Sequence, residues 1–115
     1  MGESYRPRER IRKKKDFSYL YNKGFFARGK YFNLIYLPNN LPYSRMAVVA
    51  SKKIGNAVER NKVRRRIREL FRRNKDLLRS PVDLIVLTKK GVRDASWENM
   101  KTQYFSMIEA IGAKK

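Results

Sequence analysis

The chain has 115 residues and a formal charge of +19 at pH 7, from 29 Lys and Arg against 10 Asp and Glu. Apolar residues make up 42%, and cysteine and histidine are both absent, which excludes a disordered basic tail, disulfide and zinc–thiolate sites, and chemistry built on an imidazole base. No run approaches the ~18 apolar residues of a membrane span, and MGESYRPRER lacks the apolar stretch of a secretory signal, so we expect one cytoplasmic domain, residues 1–115, with a polyanionic partner.

Residues 1–12 are polar, hold Pro7, and read as a mobile basic arm. Arg6 to Lys15 carries seven basic residues and one acid, Glu9. A solvated tail and a nucleic-acid contact explain this run equally well. Lys14 to Lys23 reads as a short helix, with Asp16 suited to its first turn and Gly24 to its end. Phe17, Leu20 and Tyr21 share one face of it.

Lys30 to Leu37 (KYFNLIYL) is β-rich and stops at Pro38-Asn39-Asn40. Arg45 to Lys52 (RMAVVASK) is a short apolar strand, and the two are expected to pair as a hairpin. At period 2, Phe32, Leu34 and Tyr36 share one face, while Tyr31, Asn33 and Ile35 take the other. Which face is open is not encoded locally.

Ile54-Gly55-Asn56 is a turn. Asn56 with Glu59 three residues on makes a capping box, so a helix starts at Ala57 and ends near Asn74. Arg60 to Lys75 holds nine Lys or Arg and a single carboxylate, Glu69. On a helix, Val63, Ile67, Leu70 and Phe71 fall on one side. Asn61, Arg64, Arg65, Arg68 and Arg72 fall within about 100° of arc beside them. The bland reading is a solvated face, but that usually mixes signs at i,i+4. Here the acids are missing, and like charges at that spacing cost roughly 0.2–0.5 kcal/mol per pair. A row of phosphates offsets that cost, so nucleic-acid binding is the stronger reading.

Val82 to Lys89 (VDLIVLTK) is a central strand. Ser96 starts a last helix, with Trp97, Met100, Tyr104, Met107, Ile108 and Ile111 at core spacing. The order is helix, strands, helix, strand, helix: a small α/β sandwich. The segment around the basic helix is a βαβ unit if its strands are parallel.

Catalytic groups are not evident. The ten carboxylates are dispersed, and Gly55 and Gly91 stand alone, so there is neither a metal cluster nor a phosphate loop. Phe17, Tyr21, Phe32 and Tyr36 alternate with bases. Unpaired nucleotides stack on such rings for about 1–3 kcal/mol per base; for each ring, core packing is at least as good a reading.

SKKIGNAVERNKVRRRIRELF, residues 51–71, resembles the signature of the protein component of bacterial ribonuclease P. RPRERIRKKKDFSYLYNKG is similar to the first segment of that family. The resemblance covers nearly the whole chain. It implies an α+β two-layer sandwich of αβββαβα order, whose four-stranded sheet contains a left-handed βαβ crossover, against the usual handedness. It implies a subunit of a tRNA-processing endoribonuclease in which a catalytic RNA, with magnesium ions, removes the 5′ leader of precursor tRNA. Carried over by position, the catalytic-RNA contacts are Lys52, Lys53, Arg60, Asn61, Lys62, Arg64, Arg65 and Arg68. The leader contacts are Phe17 and Tyr21 from the first helix, with Phe32 and Tyr36 from the sheet. Ile35 stands where some relatives carry an aromatic. No catalytic or metal-binding side chain is implied.

Two other classes compete. A small basic ribosomal or other structural RNA-binding protein shares the composition, but the 51–71 motif points away from it. A helix-turn-helix DNA binder would need a second helix directly before residue 57, where a strand and turn stand instead.

Overall fold

The computed structural model describes residues 6–78 and 80–113. Three helices, α1 (Lys14–Lys23), α2 (Ala57–Arg73) and α3 (Trp97–Ala113), surround four strands: β1 (Phe25–Ala27), β2 (Phe32–Pro38), β3 (Arg45–Val49) and β4 (Val82–Thr88). The chain order is therefore αβββαβα, as the resemblance implies.

The strands form one sheet in the order β1-β2-β4-β3. β2 pairs antiparallel with β1 and β4, and β3 pairs parallel with β4. The expected hairpin between the second and third strands does not form. β4 sits between them, because its run VDLIVLT is buried over most of its length and needs a neighbour on each side. β3, α2 and β4 make the βαβ unit, with parallel strands.

Alternation sorts the sheet residues onto two faces. Phe32, Leu34, Tyr36, Met46, Val82, Leu84 and Val86 point to one face. They share a core with Val63, Ile67, Leu70 and Phe71 of α2 and Met100, Tyr104, Met107, Ile108 and Ile111 of α3. Ile35, Ala47 and Ile85 point to the other face, where Leu20 of α1 and Ile11 cover them. Asn33, Leu87 and Val49 lie one step along that face and stay half-buried. The second face is thus the open one.

The basic arm is not free over its described part. Pro7–Glu9 is a turn of 3-10 helix, Arg10 forms a parallel bridge with Met46, and the Ile11 N–H donates to the Met46 carbonyl at 3.1 Å. Residues 6–12 therefore extend the β3 edge. Residues 1–5 of the arm lie outside the described residues.

Candidate RNA interface

The start of α2 is built from local chemistry. The Asn56 carboxamide oxygen accepts the Glu59 N–H at 2.9 Å, and the Glu59 carboxylate accepts the Asn56 N–H at 3.0 Å. Gly55 precedes the cap with φ 151°. A Cβ there would collide with the Glu59 carboxylate, so the turn requires glycine. Ile54 buries its side chain and anchors the preceding 3-10 turn, leaving Lys52 and Lys53 exposed on it.

Along α2, Asn61, Lys62, Arg65 and Arg68 are exposed, while Arg60 and Arg64 are half-buried. Arg60 turns back, its guanidinium donating to the Gly55 carbonyl at 2.8 Å. Arg64 donates to the Asn61 side chain at 3.0 Å. Arg66 is directed inward, with the Ala95 carbonyl at 3.4 Å. Arg72 and Arg73 both hold Glu69, and the Arg72 hydrogen bond is the chief reason its carboxyl lies below the usual range. Among the described carboxylates, none forms a salt bridge with Lys52, Lys53, Lys62, Arg64, Arg65 or Arg68. Of the eight positions singled out on this segment, Asn61, Arg64, Arg65 and Arg68 share one flank of α2, Lys62 instead lines a separate groove with Glu59, Arg93 and Asp94, and Arg60 and Arg64 each make a local hydrogen bond as well.

A groove of about 180 Å³ adjoins this helix at the β3 edge, lined by Arg10, Arg12, Phe17, Ala47 and Arg68 among others. Phe17 is half-buried against the open-face core, and Tyr21, one turn on, is 52% exposed. Beyond Ala47 and Ile85 on the same face, Asp83 pairs with Arg45 through two bonds, one of them 2.8 Å. Asp83 raises the Arg45 guanidinium further above its ordinary range. Asp16 of α1 approaches the same guanidinium at 3.5 Å, so this cluster ties the N-terminal turn of α1 to the sheet.

Phe32 and Tyr36 do not line the groove. Phe32 is fully buried and Tyr36 is 6% exposed, both on the face covered by α2 and α3. Period 2 made them face-mates; the helices then covered that face. Ile35 shares the open face with Phe17. The sequence pattern does not mark Arg10 and Arg12 as groove residues, because their place depends on the Arg10–Met46 bridge between distant segments.

The family model described as Ribonuclease P matches residues 5–112. The chain belongs to the ribonuclease P protein family. The chain is 39% identical to the ribonuclease P protein component of Thermotoga maritima over 94 residues, 82% of this chain and 80% of that one. It is 36% identical to that of Streptococcus thermophilus over 115 residues, 100% and 96% of the two chains. The fold matches the RNase P protein of Staphylococcus aureus with a TM-score of 0.80 at 31% identity, over 90% and 94% of the chains. It matches that of Thermotoga maritima at 0.81 and 28% identity, over 89% and 96%. This is an RNA-binding, tRNA-processing component of a ribonucleoprotein, with the mixed α+β fold of its family.

Proposed function

We propose that the chain binds the catalytic RNA of ribonuclease P along Lys52–Arg68 and the 5′ leader of precursor tRNA in the groove between α1 and the open sheet face. Arg68 carries this reading. It projects from the basic flank of α2 and also lines the groove beside Phe17, so a single side chain joins the two RNA surfaces. Phosphates along α2 would relieve the like-charge repulsion that the missing acids leave. Tyr21 and Phe17 offer rings to unpaired leader bases.

Four of the described carboxylates are already held by cations, which disfavours them as magnesium ligands. Asp83 and Asp16 face Arg45, Glu69 faces Arg72 and Arg73, and Glu9 faces Lys75. Among the described residues, no group of three acidic, His or Cys side chains is arranged to hold a metal ion. We assign the magnesium ions and the cleavage step to the RNA subunit, within a cytoplasmic particle that matures tRNA 5′ ends. The test is cleavage of precursor tRNA in magnesium buffer by the purified chain, with and without its cognate RNA. Cleavage is expected only with the RNA; activity without RNA that survives stringent purification would overturn this reading.

A further inference from the structure

We propose that the β1 edge of the sheet, with the groove beside it, is a second surface for single-stranded RNA. It lies at the opposite edge from β3 and the Arg68 groove, and it does not depend on the leader assignment. Phe25 and Phe26 are 57% and 52% exposed there. Their partners across the ladder are Tyr36 and Ile35, so the two rings flank opposite faces of one edge strand. Phe25 leans on Tyr36 with ring centres 5.6 Å apart, and both Phe25 and Phe26 keep more than half of their surface open to a ligand.

Cations accompany the rings. The Arg28 guanidinium sits 6.0 Å from the Phe26 ring centre, and the Lys30 ammonium 5.4 Å from that of Tyr31. Residues 28–31 and α3 enclose a groove of about 430 Å³, lined by Arg28, Lys30, Tyr31, Asn99, Gln103 and Ser106 with three neighbours, none of them a carboxylate. The groove is preformed. The Gln103 side-chain oxygen accepts the Tyr31 and Phe32 N–H groups at 2.6 and 3.2 Å. Gly29 lies so near α3 that a Cβ would come within 2.7 Å of the Gln103 amide nitrogen. Lys89 closes the turn by donating to the Gly29 carbonyl at 2.8 Å.

Charge decides the occupant. At +19, a second copy of the chain would be repelled. A polyanion is attracted, and the open rings need flat apolar partners as well. Unpaired nucleotides supply both, with phosphates for Arg28 and Lys30 and bases for Phe25 and Tyr31. Paired strands keep their bases in the stack and leave the rings bare.

The test uses the full chain and a short oligouridylate carrying 4-thiouridine, with cross-linked peptides mapped by mass spectrometry. Cross-links are expected at Phe25 or Tyr31, separate from any at Phe17 or at Phe26, which shares the open face with Ile35. Two variants place acid in the groove: Arg28→Glu with Lys30→Glu, and Thr102→Glu with Ser106→Glu. Thr102 and Ser106 are exposed on α3, so the second variant keeps the fold, as melting checks. Both should abolish the β1-edge cross-links and spare those at Phe17. Neutralising Arg28 and Lys30 with Ala should lower the salt slope of log affinity by up to ~0.7 for each phosphate the variant no longer neutralises. Cross-links confined to the α1 groove, or insensitive to both acidic variants, would overturn the proposal. So would a changed sedimentation coefficient of the variants with unaltered cross-linking, which would make this edge a protein contact.

Discussion

Lys75 and Glu9 lie 66 positions apart, and the lysine ammonium donates to the buried Glu9 carboxylate at 2.9 Å. The same carboxylate accepts the Arg6 N–H at 2.7 Å, so one acid both caps the first turn and clips it to the end of α2. The clip holds the segment that places Ile11 in the core and Arg10 and Arg12 in the groove.

Glu9→Ala leaves a partly buried ammonium with one acceptor fewer and frees the turn. Loss of a buried hydrogen-bonded partner costs about 1–3 kcal/mol. The melting temperature should fall, and the Ile11 amide, bonded to Met46, should lose protection from hydrogen exchange. A protected Ile11 amide at the wild-type melting temperature would mean that the β3 bridge alone holds the arm.

The α2 arginines should divide into two kinds. Arg65→Ala and Arg68→Ala remove exposed side chains that form no salt bridge with a described carboxylate, so stability should hold. The salt slope for catalytic-RNA binding should shrink by about 0.7–0.9 for each phosphate left without its cation. Arg60→Ala also breaks the bond to Gly55 and should lower the melting temperature as well. A salt slope untouched by Arg65→Ala and Arg68→Ala would place both in solvent in the complex.

Glu69 gives a pH signature. The Arg72 hydrogen bond, helped by Arg73 and opposed by burial, lowers its carboxyl below the usual range. A depressed folded value stabilises the fold above the unfolded pKa, about 4.3, and that contribution is lost as pH falls through the folded value. The pairs are near the surface, so each contributes about 0.3–0.5 kcal/mol. A carboxyl NMR titration should find the Glu69 midpoint below the usual range, and Arg72→Ala should move it up. No movement would leave Arg73 as the dominant partner.

The legible parts of this fold were those set by neighbours in sequence. Asn56 and Glu59 announce the start of α2, and Val63, Ile67, Leu70 and Phe71 announce its buried side at helical spacing. The open groove was not legible in that way. Period 2 separated Phe32 and Tyr36 from Ile35, but only α2 and α3 decide which set is covered. The β2–β3 pairing failed because Pro38-Asn39-Asn40 marks a turn, and a turn does not name the strand beside it. β4 enters that place from about 40 residues downstream. β1 has three residues, too few for any period to register.

That division of faces leads to a sharp test of the rings. Phe32 is fully buried, so Phe32→Ala should cost roughly 3–5 kcal/mol of stability. Its affinity change should be equal for precursor and mature tRNA. Tyr21 is half exposed and bears little of the core. Tyr21→Ala should therefore leave melting nearly unchanged and lose roughly 1–3 kcal/mol of precursor tRNA binding, the value of one stacked base. Mature tRNA, which lacks the leader, should bind Tyr21→Ala as it binds wild type. Phe17 stands between these cases: half-buried against the open-face core, it also lines the groove. Phe17→Ala should lower both stability and leader affinity, while Phe17→Leu should restore the melting temperature without restoring the stack. If Phe17→Leu recovers precursor tRNA affinity along with stability, Phe17 serves the core alone, and the leader must find its rings elsewhere on the open face.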